Sequence, residues 1–164
     1  MSLRNLARLK LLLLALFCAS PVLGAWVAYQ ARLPEQGRTV GTLLPTRPFA
    51  AASVGGWPQG KWVLAVVEHG ECGTVCQGRL FATHQWQAAQ GEATERLRRV
   101  LLTPQGGAAL DGVPRLSLGD AKVDDGVYLI DPLGNQVMFY ADNALPTQVI
   151  REVARILKTN NGLG

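Results

Sequence analysis

Two cysteines, Cys72 and Cys76, carry the most reactive chemistry in the chain, within the stretch Glu68-His69-Gly70-Glu71-Cys72-Gly73-Thr74-Val75-Cys76. Three intervening residues let the two sulfurs face each other across one helical turn, near the distance a disulfide tolerates. The same separation lets both sulfurs reach one soft metal ion, and thiolates favour Cu(I) or zinc over hard ions. If the pair opens a helix, free N–H groups and the positive dipole end stabilise thiolate, which makes Cys72 the expected nucleophile or primary ligand. A structural disulfide uses the same spacing and stands as the alternative.

Few other side chains compete for a role. His69 precedes Cys72 by three residues and is a candidate third ligand or a donor to the thiolate, set against the commoner role of tuning a neighbouring charge. His84 lies about 12 Å beyond Cys76 by helical rise and reads as a solvated helix face. Met138 in QVMFY reads as strand packing, and Asp131 in LIDPLG as a turn former. Glu68 and Glu71 flank the cysteines, with solvation as their default.

The elements that must position the pair follow from the pattern around it. Lys61 to Glu68, KWVLAVVE, is a continuous apolar and β-branched run of the kind a buried central strand shows. From Gly73 to Gln90 there is no proline and the apolar residues recur at helical spacing. Leu97 to Thr103 predicts a second strand, and Pro104 to Asp125, with its PQGG, DGVP and DDG turns, predicts a loop too short for a full crossover helix. VYLID (Val127 to Asp131) and QVMFY (Gln136 to Tyr140) predict a hairpin, and Pro146 to Lys158 an amphipathic terminal helix. The pair therefore sits just after a buried strand, where open α/β sheets bind and react. A βαβ unit followed by ββα predicts an α/β, thioredoxin-like domain: a central mixed sheet flanked by helices over residues 61–160.

The first thirty residues differ in kind. Arg4, Arg8 and Lys10 lead into an uncharged run from Leu11 to Tyr29. At about 1.5 Å per residue it covers roughly 28 Å, close to a bilayer's hydrocarbon core. Basic residues on the N-terminal flank and Trp26 and Tyr29 at the other end predict a cytoplasmic flank and one transmembrane anchor within residues 1–30, with the rest exported to the bacterial periplasm and held at the inner membrane. A cleaved signal peptide is the alternative, against which the length of the run speaks. Residues 31–60, rich in Pro, Gly and Thr, predict an extended lead-in. The formal charge of +4 belongs largely to the N-terminal flank: without its three cations, 13 basic residues face 12 acidic ones. Nothing forms a basic stripe, so nucleic-acid binding finds no support.

Strand, C-x-x-x-C, helix, and then YLIDPLGN at Tyr128 to Asn135, followed by a strand and a terminal helix, resembles the Sco/SenC group of cytochrome c oxidase assembly proteins. The anchor, the proline-rich lead-in and GKWVLAVV fit the same pattern. The resemblance implies a thioredoxin-like fold and work on the copper centre of oxidase subunit II, by copper delivery or by reduction of its cysteines, in company with that subunit or other assembly factors. It assigns Cys72 and Cys76 as copper-binding thiols. It also implies a histidine shortly before the YLIDP strand, whereas Lys122 to Val127 carries none, and Gln77 replaces the proline after the second cysteine. That marks a divergent branch. A general periplasmic thiol-disulfide oxidoreductase and a non-catalytic thioredoxin-like scaffold are the other two readings.

Overall fold

The structure, a computed structural model, describes residues 3–30, 39–119 and 121–162. The chain divides into two compact units, Met1–Gly37 and Arg38–Gly164. The first contains helix α1 (Leu3–Gln30), with Pro21 inside it. Its apolar side chains are exposed, Leu16 at 68%, Phe17 at 77% and Trp26 at 60%. Among the described residues no helix is long and apolar enough to cross a membrane, so the expected transmembrane helix is not found. Residues 31–38 of the expected lead-in lie outside the described residues.

The second unit is built on a seven-stranded sheet. Its strands are β1 (Thr42–Leu43), β2 (Trp62–Val67), β3 (Leu97–Thr103), β4 (Gly107–Leu110), β5 (Val113–Ser117), β6 (Gly126–Ile130) and β7 (Gln136–Tyr140), in the order β1-β7-β6-β2-β3-β5-β4. Helix α2 (Thr74–Ala88) joins β2 to the parallel β3. The hairpin β6–β7 adds antiparallel to the other side of β2 and leads into α3 (Pro146–Thr159). This βαβ followed by ββα is the thioredoxin-like mixed sheet that the sequence predicts.

Alternation along β2 divides the core in two. Trp62, Leu64 and Val66 face one side, where Cys76, Leu80 and Trp86 of α2 and Val149, Val153 and Leu157 of α3 complete the packing. Val63, Ala65 and Val67 face the other side, which no α-helix covers among the described residues. Phe49, Ala51, Trp57, Leu118 and Ala121 cover it instead. The mixed sheet is flanked by helices as expected: α2 and α3 share one face, and a short 3-10 helix at Ala50–Ser53 with irregular chain closes the other. Residues 39–60 are correspondingly part of the domain. Phe49 and Trp57 are 2% and 6% exposed, β1 pairs with β7, and Gln136 donates its backbone N–H to the Arg47 carbonyl at 3.0 Å.

The stretch expected to be a loop after Thr103 also departs from the prediction. β4 and β5 form a hairpin whose turn residues, Asp111 and Gly112, take φ of 48° and 74°. That is the positive-φ pair a two-residue hairpin turn requires. β5 pairs parallel to β3, so on this edge the sheet extends two strands beyond the four-stranded βαβ-ββα core.

Candidate dithiol site

The Glu68 N–H continues the β2 ladder, donating to the Leu102 carbonyl at 3.0 Å, before the chain leaves the sheet. Gly73 then caps α2 in extended conformation, its carbonyl accepting from the Gln77 N–H at 3.0 Å. No side chain caps this helix. The positive end of α2 is therefore left to act on the cysteines, one residue before the cap and three after it.

Cys72 and Cys76 are joined as a disulfide, their Cα atoms 5.1 Å apart. The two sulfurs sit in different environments. Cys76 is 1% exposed in the helix-side core, whereas Cys72 is half-buried at the edge of that core. An incoming thiolate reaches Cys72 first, and Cys76 is the buried leaving group. Once the bond opens, the helix N-terminus favours the thiolate form.

His69 lies in the loop between β2 and the pair. Its backbone N–H donates to Asp125 Oδ1 at 3.0 Å, and its ring Nδ1 meets the same oxygen at 2.5 Å. Burial alone would push the Asp125 carboxyl up, but the hydrogen bonds and charge of His69, with Arg79 behind them, hold it below the ordinary carboxylate range. With Nδ1 engaged as the donor, Nε2 is the ring nitrogen left to accept a proton or bind an ion. Asp125 comes from the segment where the family resemblance implies a histidine. There the chain supplies a carboxylate, and the cysteine loop supplies the histidine.

A second network stands behind the pair. The Arg79 guanidinium binds Asp142 through Nε at 2.6 Å and Nη2 at 2.8 Å, while Nη1 reaches Glu68 Oε2 at 3.1 Å and the Val67 carbonyl at 3.3 Å. The hydrogen bonds to Asp142 raise the Arg79 pKa, burial opposes them, and the charges of Asp142, Glu68 and Asp125 add to the rise. The same bonds hold Asp142 below the ordinary carboxylate range against a smaller opposing effect of burial. Arg79 thus ties the end of β2 and the cysteine helix to the turn after β7. Glu68, expected to be a solvated carboxylate, is instead a half-buried partner in this network, its side chain 14% exposed.

The remaining candidates fall where expected. His84 is exposed on α2, Met138 is 2% exposed in the core, and Glu71 is exposed. Asp131 Oδ1 accepts from the backbone N–H groups of Leu133 at 2.9 Å and Asn135 at 2.7 Å, closing the β6–β7 turn. The sequence reading missed Arg79, Asp125 and Asp142. Charged residues near a turn give no signal of their partners until the fold brings residues from 56 and 63 positions away together.

Cys72, Cys76 and His69, the candidate metal ligands, lie in one loop and the first turn of α2. Both sulfurs are consumed in the disulfide, and among the described residues no three His, Cys, Asp or Glu side chains gather to hold a metal ion.

No protein-family model matches the chain, and no curated protein matches it. In fold the chain is similar to Sco proteins. Copper-bound ScoI of Arabidopsis thaliana has a TM-score of 0.48 at 15% identity, over 74% of this chain and 99% of that one. A SCO1/SenC family lipoprotein of Bacillus anthracis has a TM-score of 0.43 at 16% identity, over 70% of this chain and 92% of that one. Copper-bound ScoI of Bradyrhizobium japonicum has a TM-score of 0.42 at 13% identity, over 71% of this chain and 99% of that one.

Proposed function

We propose that this protein is a thiol-disulfide exchange factor whose client is the copper-site cysteine pair of cytochrome c oxidase subunit II, kept reduced for metal loading. One observation supports it above the rest: a disulfide at a helix N-terminus, with Cys72 accessible and Cys76 buried behind it. In the reduced protein the Cys72 thiolate attacks one sulfur of the client disulfide. A Cys72–client bond forms, and the other client sulfur leaves as thiolate. Cys76 then attacks Cys72 Sγ, the second client sulfur leaves, and both client cysteines are reduced. The protein ends as the Cys72–Cys76 disulfide seen here, and a second dithiol returns it to the reduced form. His69, oriented by Asp125, is the candidate acceptor for the Cys72 thiol proton.

The location belongs to the same proposal. The apolar side chains exposed on α1 support attachment to the bacterial inner membrane, and the disulfide supports a periplasmic position for the second unit. The experiment is to mix the reduced full chain in detergent with the oxidised copper-domain cysteines of subunit II and count free client thiols. Transfer of two electrons, lost in Cys72→Ser, supports the reading. An inert pair in the wild-type chain overturns it and leaves a scaffold role.

Copper handling by the reduced protein is the second reading, with copper as cargo. The Asp125-oriented imidazole favours it, because ligating histidines are held in this way through their other nitrogen. Uptake of one equivalent of Cu(I) by the reduced chain, weakened at least tenfold in His69→Ala, supports this reading. No uptake sinks it.

A further inference from the structure

Three parallel strands frame a second hollow at their carboxyl ends. β2 pairs parallel to β3, and β3 pairs parallel to β5. Open α/β sheets take their ligands at this end of such strands. A pocket of about 470 Å³ lies there, within the range of small-molecule sites. His69 and Glu71 line it from the loop after β2, Thr103 and Gln105 from the end of β3, and Arg115 from β5. Neither Cys72 nor Cys76 lines it, so binding here does not depend on the exchange reading.

Arg115 is fixed before any ligand arrives. Its Nε donates to Thr103 Oγ1 at 3.0 Å, and Thr103 is 1% exposed. The side chain lies against Gly107, where a Cβ would stand 3.5 Å from Arg115 Cδ and 3.8 Å from Nη1. Among the described residues no carboxylate pairs with this half-buried cation, and its two Nη groups have no protein partner. A guanidinium held through Nε presents those two groups as the fork that matches a carboxylate.

Glu71 stands exposed on the cysteine loop and also enters no ion pair among the described residues. The pocket therefore offers one unpaired cation and one unpaired anion that do not meet each other. A ligand with a single charge satisfies one and faces the other, whereas a ligand with both charges satisfies both. His69 and Gln105 supply further hydrogen-bonding side chains.

We propose that this pocket binds a small zwitterion, an amino acid or a short peptide with free termini, its carboxylate on Arg115 and its ammonium at Glu71. Occupancy bears on the loop that leads to Cys72, because His69 and Glu71 belong to that loop.

The test titrates the full chain in detergent, its disulfide intact, with glycine, diglycine and triglycine by calorimetry. The tightest of the three is then compared with its N-acetyl and C-terminal amide forms, each of which lacks one charge. The expected result is saturable binding, weakened at least tenfold by either block. Arg115→Met should abolish the response to amidation and Glu71→Gln the response to acetylation, each weakening the free form at least tenfold. NMR places the site: the chain has two histidines, and the ring signals of His69 should shift while those of His84 do not. No saturable binding by any of the three would overturn the site, as would a shift of His84 alone. Equal affinity for the free form and either blocked form would overturn the zwitterion. If Arg115→Met fails to fold, the blocked forms on the wild-type chain decide the matter.

Discussion

Asp125 holds His69 by two bonds to a single carboxylate oxygen, one from the backbone N–H and one from ring Nδ1. The link spans 56 positions and fixes the start of the loop that carries Cys72 to the strand end at β6.

Asp125→Asn tests that link. Because the folded carboxyl is held below its ordinary range, its contribution is complete above that range and fades as pH falls through the depressed value. Both partners are well exposed, 46% and 39%, so solvent screening keeps the expected loss at pH 7 to about 0.5–1 kcal/mol. Urea titrations should show wild type and variant converging as the pH is lowered to about 2. A constant offset at every pH would contradict the assignment.

Arg79→Met should be far more damaging. The side chain is 10% exposed, and its loss leaves the Glu68 carboxylate partly buried without its cation. The expected cost is about 3 kcal/mol. Arg79→Lys should recover only part of it, since an ammonium cannot reproduce the two-bond fork to Asp142. Denaturant melts of the three proteins give the order directly. Asp142, also held low, contributes stability that disappears from the wild type, but not from Arg79→Met, as pH drops through the carboxylate range.

The unequal burial of the two sulfurs predicts unequal alkylation. After reduction, iodoacetamide should label Cys72 at least ten times faster than Cys76, read by mass spectrometry of timed digests. Removing the bond by Cys72→Ser should cost about 2 kcal/mol, the loop-closure value for so short a loop. Equal labelling of both thiols would remove the physical basis for calling Cys72 the nucleophile.

Gly126 begins β6 beside Asp125 at φ 152°, and a Cβ there would run into the Phe139 ring, with the Tyr140 carbonyl 3.3 Å away. Gly126→Ala should lower stability by about 2–3 kcal/mol in a thermal melt. The loosened strand end should also slow disulfide exchange, since it carries the partner of His69.

Phe49→Ala should cost about 3 kcal/mol, because the ring packs against Trp57 and Tyr128 with centroids 6.1 Å and 5.5 Å away. An effect near zero in a urea titration would show that residues 39–60 lie outside the folded domain.

Legibility in the sequence varied with how far each signal reached. β2 was legible because all six of its residues are buried, which writes a continuous apolar run. The β6–β7 hairpin and α3 were legible for similar local reasons, a turn of Asp, Pro, Gly and Asn in one and Val149, Val153 and Leu157 at helical spacing in the other. β4 was not, since Gly107, Ala108 and Ala109 carry no β-branched signal, although Asp111-Gly112 was a usable hairpin cue. Residues 39–60 read as an extended lead-in because Pro and Gly punctuate them, and their burial depends on a sheet face that lacks an α-helix. At the site, the pair and its helix were visible in the spacing. Asp125, Arg79 and Asp142 were not, because their partners are set by tertiary closure.

The bonds that fasten residues 40–48 all reach to the other end of the chain. Val40 and Gly41 donate to Glu152 across 112 and 111 positions, and the Pro45 carbonyl accepts from Gln136 across 91. A chain made from its N-terminus therefore emerges with this segment unmatched, and Phe49 lacks the Tyr128 ring that packs on it until β6 has been synthesised. Closure of this segment waits on residues 135–152, which leaves an interval in which the Phe49 ring is open to a holding chaperone.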